Sequence, residues 1–205
     1  MIESFIHSLF PTPIYESYFN RKFSNKELKF FDQQKNYCVK NKGNINTIDN
    51  YILNRPELRK IKKYIQDCCD DYLKKIICPK TDLKLYITQS WLNYTEENPF
   101  HHQHEHPNSV VSGVFYINAD KENDTIKFFP LKRYAQISPI IKEYNIWNST
   151  SWWFPVETGK LIIFPSSTTH QVDIKKGNNT RISLAFNTFY KGIIGENKDL
   201  SELII

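Results

Sequence analysis

Residues 101–118 read HHQHEHPNSVVSGVFYIN, a histidine-rich run leading into a strand-like one. Four of the chain's six histidines fall in the first six of these positions. Alternate side chains of an extended strand share a face, so His102, His104 and His106 can present imidazoles to one side. Imidazole is a common ligand for intermediate metals. The SVVSGVFYIN that follows is β-branched and aromatic, as strands are. Ser112, Tyr116 and Asn118 fall on one of its faces with Val110 and Val114, and Val111, Phe115 and Ile117 fall on the other.

Residues 170–187, HQVDIKKGNNTRISLAFN, supply the complement. A distant histidine, His170, opens the stretch, and a Lys-Lys-Gly-Asn-Asn turn separates it from Arg181. If the two sides pair as a hairpin, Arg181 returns close to His170. The alternation in RISLAFN is sharp: Arg181, Ser183 and Asn187 share one face with Ala185, and Ile182, Leu184 and Phe186 take the other. In LKLYITQSWLNY, Gln89, Trp91 and Asn93 share a face. A barrel with a ligand cavity turns such polar faces inward. The guanidinium fork matches a carboxylate, and hydroxyls add hydrogen bonds. An H-x-H pair plus a distant histidine therefore reads as a metal chelate beside an anion site. Which two of His102, His104 and His106 join His170 is open at this level.

The rest of the chain agrees with a β-rich core. It has 205 residues, enough to bury a core without disulfides or structural metal. Fourteen Phe, twelve Tyr and four Trp stand against three Ala, a skew towards strands. Seven short strand-like runs lie between 83 and 190, interrupted by an insertion at 131–148, and suggest a sandwich or barrel. Trp152 and Trp153 are candidates for core packing or for the pocket mouth. Residues 1–80 carry the helical signals: Ser24 with Glu27 as a capping pair, then Pro56 followed by Leu58, Ile61, Tyr64, Ile65, Cys68 and Leu73 at helical spacing. Residues 191–205 read as a tail, so the expected organisation is one domain of support, core and tail. The net charge of +5 is mild and unclustered, so nucleic-acid binding is not indicated. No membrane span and no secretory leader are read in the sequence, and the four cysteines lack CxxC spacing. A cytoplasmic protein with reduced thiols is expected, with a homodimer as one open assembly state.

Taken together, H-x-H…H-x10-R-x-S on a β-rich core resembles the iron(II)- and 2-oxoglutarate-dependent dioxygenases. WLNY, the stretch from His104 to Asn118, GKLIIFPSSTTH and RISLAFN, with the opening LFPTPIY, are similar to a bacterial and phage branch of that family. The resemblance implies a double-stranded β-helix (jelly roll) with supporting N-terminal helices, an α+β and mainly β fold. It implies an oxygenase that uses Fe(II) and 2-oxoglutarate, releases succinate and CO2, and hydroxylates a substrate. By position, His104 and His170 correspond to the family's two histidine ligands, and His106 stands where the family usually has a carboxylate. Arg181 corresponds to the residue that pairs the distal carboxylate of 2-oxoglutarate, with Ser183 beside it and Tyr116 matching a tyrosine of prolyl-hydroxylase-like members. Ser112 and Asn93 are added to this cosubstrate set, and Trp91, His102 and Asn187 to the substrate pocket. Two alternatives remain: a cupin-type three-histidine metalloenzyme without 2-oxoglutarate, and a non-catalytic binding barrel. Neither requires Arg181 and Ser183 to face the histidines.

Overall fold

The computed structural model describes residues 2–96, 101–130 and 139–205. The 131–138 part of the insertion lies outside them. The first elements are β1 (Tyr15–Tyr18), α1 (Asn25–Gln34), β2 (Cys38–Asn41), β3 (Asn44–Thr47) and α2 (Arg59–Tyr72). The core strands follow as β4 (Lys84–Thr95), β5 (His101–His104), β6 (Val111–Asn118) and β7 (Thr125–Phe128). Next come β8 (Trp152–Pro155), β9 (Lys160–Pro165), β10 (His170–Val172) and β11 (Arg181–Lys191). A two-stranded hairpin, β12 (Ile193–Ile194) with β13 (Leu203–Ile204), ends the chain.

Helix α1 starts where the sequence expects it. The Ser24 hydroxyl accepts from the Glu27 N–H while the Glu27 carboxylate accepts from the Ser24 N–H, a complete capping box. Helix α2 continues through a turn at 73–77 and stops at Cys78, whose φ of 48° is left-handed. Residues 1–80 also hold three strands, β1, β2 and β3. Thus β1 and the β2–β3 hairpin widen the large sheet, whose order is β1-β9-β6-β11-β4-β3-β2. The smaller sheet is β5-β10-β7-β8.

The large sheet has two chemically distinct faces. One packs on the helices: Val111, Phe115, Ile117, Leu184 and Phe186 are buried in one cluster with Ile61, Ile65 and Tyr72 of α2, and half-buried Ile182 packs against it. Strand phase puts these residues where the sequence expects them. Towards the smaller sheet, Tyr116, Ile162 and Phe164 meet Ile126 and Phe128 in a second cluster. This is the double-stranded β-helix arrangement. Trp152 and Trp153 lie on the edge strand β8, 40% and 57% exposed, so neither packs in the core.

Gly113 marks the tightest approach in the large sheet. A Cβ there would sit 2.3 Å from Phe186 Cζ and 3.0 Å from the Ile162 carbonyl oxygen. Phe186 is fully buried and has nowhere to retreat. Gly113→Ala should cost about 1–3 kcal/mol, as overpacking does. Chemical denaturation measures it, and an unchanged midpoint would contradict this packing.

Candidate metal and cosubstrate site

Antiparallel pairing of β10 with β5 sets His170 opposite His104. His106 follows β5 and is fixed by its backbone N–H, which donates to the Ser166 carbonyl at 3.0 Å. The nitrogen atoms that these three imidazoles can offer lie within 4.8 Å of one another, close enough to hold one ion. Ring centroids are 4.3 Å apart for His104–His170, 5.0 Å for His104–His106 and 5.1 Å for His106–His170. Phe164 and Phe128 pack against the His170 ring, and Trp91 lies 5.9 Å from that of His106.

The donor set fits a metal. His104 Nδ1 lies 2.7 Å from the His102 carbonyl oxygen, and His170 Nδ1 lies 3.0 Å from that of Thr168. A carbonyl only accepts, so each Nδ1 carries the proton and each Nε2 keeps its lone pair. Burial lowers the pKa of His104, and burial with the neighbouring His104 lowers that of His106 to about 4. Both rings are therefore neutral at pH 7, the state that ligates. The two nearby acids are engaged elsewhere: Glu105 accepts from the Thr169 hydroxyl, and Asp173 pairs with Lys127 at 2.9 Å. Among the described residues the ligand group is all histidine.

A cavity between the sheets joins these rings to the expected anion site. Arg181, Ser183, Asn93, Tyr116 and Trp91 line it together with His104, His106 and His170. The pairing explains this. Ser183 of β11 stands opposite Asn93 of β4 on one side and Tyr116 of β6 on the other, and Arg181 stands opposite Thr95. Burial raises the Tyr116 pKa, so its hydroxyl keeps the proton it can donate. Arg181 is only 3% exposed and forms an ion pair with buried Asp124 at 3.1 Å. Asp124 in turn accepts from the Asp120 N–H at 2.9 Å.

Three expected residues lie outside this inner cavity. Ser112 is absent from the cavity lining; its hydroxyl is bonded to Ser166 and to Asn187 Oδ1, both at 2.8 Å. The serine cluster uses its hydrogen-bonding capacity, so it has none to offer a cosubstrate. Asn187 lines a further recess with Gln89, Trp91, His106 and Phe189, beside a register shift between Phe186 and Thr188. His102 lines an outer pocket with Trp91. Asn41, Asn44, Asn46, Asn50, Thr95 and Asp124, which line these cavities or hold Arg181, were not among the residues expected from the sequence. The alternation of Asn44 with Asn46, two apart on one strand face, is the signal that was there to find.

Residues 89–187 match the family model described as "Putative 2OG-Fe(II) oxygenase", a span from β4 to β11 that includes every lining histidine and Arg181. That span is just under half of the chain, and over it the chain is similar to the Fe(II)- and 2-oxoglutarate-dependent oxygenases. No curated protein matches the sequence. Among solved structures, the fold is similar to a 2OG-Fe(II) oxygenase family oxidoreductase from Burkholderia pseudomallei, with TM-score 0.54, 14% identity, and 79% of this chain and 76% of that one covered. It is similar to a Pseudomonas putida prolyl-4-hydroxylase, with TM-score 0.56, 11% identity, and 86% and 92% covered. It is also similar to HygX from Streptomyces hygroscopicus, solved with nickel, 2-oxoglutarate and hygromycin B, with TM-score 0.58, 10% identity, and 86% and 82% covered. At these identities the likeness concerns the fold.

The buried Arg181–Asp124 pair carries its own test. Asp124→Ala leaves a guanidinium uncompensated inside the protein and should cost about 3–5 kcal/mol. A loss below about 1 kcal/mol in urea unfolding would show that the pair is not held as described.

Proposed function

We propose that the protein hydroxylates a small substrate at a metal held by His104, His106 and His170, with 2-oxoglutarate anchored on Arg181. The observation that carries this reading is the shared cavity: Arg181 and Ser183 open into the same space as the three histidines. A cupin-type site or a binding barrel has no use for that guanidinium. Iron(II) on three imidazoles, with positions left open, would supply oxygen activation coupled to loss of CO2 from 2-oxoglutarate, one oxygen atom passing to substrate and one to succinate.

The residues of the chain do the rest. The Arg181 fork, with Asp124 fixing one arm, binds the distal carboxylate; Tyr116 and Ser183 donate hydroxyl hydrogen bonds to it. Asn93 and Thr95 border the same end. Phe164 and Phe128 keep water from the metal side of His170. A neutral ligand set makes the bound cation more electrophilic than a set containing a carboxylate would. In this reading residues 1–205 act as one unit, with 83–190 as the catalytic core. A cytoplasmic site of action is supported by the cysteines, all four of them free. No helix among the described residues is long and apolar enough to cross a membrane.

The test uses Arg181→Lys, which keeps a cation beside Asp124 and removes the planar fork. With Ni(II) in place of iron, calorimetry should show unchanged metal binding and roughly tenfold weaker 2-oxoglutarate binding. His170→Ala should lose metal and cosubstrate together. Unchanged 2-oxoglutarate affinity in Arg181→Lys would remove Arg181 from the site.

A further inference from the structure

Outside the histidine cluster lies a pocket of about 380 Å3, lined by Asn41, Asn46, Asn50, Gln89, Trp91 and His102 together with the outward edges of His104 and His106. The size suits a small organic ligand. Its composition is selective. Among the described residues no Asp, Glu, Lys or Arg lines it. The acid next in sequence to Asn50, Asp49, is engaged by Arg55 at 2.7 Å. A phosphate, carboxylate or ammonium group would find no counter-charge among these lining residues.

Four carboxamides remain, and each can donate and accept. Asn41 spends its Oδ1 on the Lys42 N–H at 2.8 Å and keeps its N–H groups; Asn46 spends an N–H on the Thr47 carbonyl at 3.3 Å and keeps its Oδ1. A surface that mixes donors and acceptors around its rim complements hydroxyl groups, which do both. Trp91 adds one flat apolar wall, enough for the C–H face of a sugar ring. A nucleobase has two flat faces to cover and hydrogen-bonding groups confined to its edges, a poorer match.

A second observation comes from deeper in. Asn44, 8% exposed, lines the inner cavity; one of its N–H groups donates to Asn93 Oδ1 at 3.3 Å, while its own Oδ1 is buried with no hydrogen-bond partner among the described residues. A buried, unpaired amide oxygen is costly. Ionised 2-oxoglutarate has acceptors only and cannot satisfy it. A substrate hydroxyl reaching towards the metal can.

We propose that the primary substrate is an uncharged saccharide, gripped by Asn41, Asn46, Asn50 and Gln89 against Trp91, with one hydroxyl donated to Asn44. The proposal rests on the oxygenase reading of the inner site, and its test separates the two. Protein loaded with Ni(II) and 2-oxoglutarate is titrated with maltose, lactose and trehalose, and with glucosamine, glucuronate and adenosine as contrasts. Side-chain amide and indole N–H resonances are followed by NMR. At least one neutral disaccharide should shift Asn, Gln and Trp91 signals saturably and bind at least about tenfold more tightly than the three contrasts. Asn46→Ala and Gln89→Ala should each weaken it by about five- to tenfold, with 2-oxoglutarate affinity unchanged. If 2-oxoglutarate binds but no disaccharide does, or a charged probe or adenosine binds best, or neither variant weakens binding, the saccharide assignment is overturned. If the parent binds no 2-oxoglutarate, the oxygenase reading fails, and the same titration still decides whether the amide pocket takes a sugar.

Discussion

The pairing of His170 with His104 across β10 and β5 is the contact on which the site depends. The two residues are far apart in sequence, and only the small sheet brings them together. The same strand pairs on its other side with β7, setting His170 opposite Phe128, so the imidazole is fixed between neighbours. Its backbone supports the chemistry as well: the carbonyls of His102 and Thr168, each two residues before a histidine, select the tautomer. A slip of one residue in either strand would turn that strand's imidazole to the opposite face and separate the pair.

The large sheet solves a related problem. A half-buried sheet usually turns its polar face to water, yet here Asn93, Thr95, Ser183 and Arg181 are turned towards the smaller sheet and nearly inaccessible. Burying them is tolerable because most are partnered: Arg181 by Asp124, Asn93 by Asn44. The helices then have a defined task. By covering the opposite, apolar face with α2 and its neighbours they leave the polar face free to line a cavity, and the capping box at Ser24 and Glu27 anchors the first of them.

Much of this was legible in the chain. The two-residue alternation of RISLAFN and SVVSGVFYIN separates helix-facing from cavity-facing side chains, and the H-x-H spacing marks the histidine cluster. What was not legible has physical causes. Cys38–Thr47 has no apolar alternation to reveal a hairpin; Gly43, at a φ of 81°, makes its turn, and pairing of β3 with β4 holds it in the large sheet. The strand exists because β4 offers an edge, a tertiary reason. Ser112 was assigned by strand phase to the cosubstrate set, and a cluster of hydroxyls with Asn187 engages it instead. Asp124 sits in a turn-like KENDT run, and its partner Arg181 is 57 positions away, beyond any local pattern.

In the proposed function one cavity holds both a metal on three histidines and 2-oxoglutarate. Anaerobic titration of the protein with Fe(II), before and after adding 2-oxoglutarate, tests it directly by visible absorption. The account predicts a metal-to-ligand charge-transfer band that appears only when iron and 2-oxoglutarate are both present and saturates at one iron per chain. Iron binding with no such band at saturating 2-oxoglutarate would contradict it.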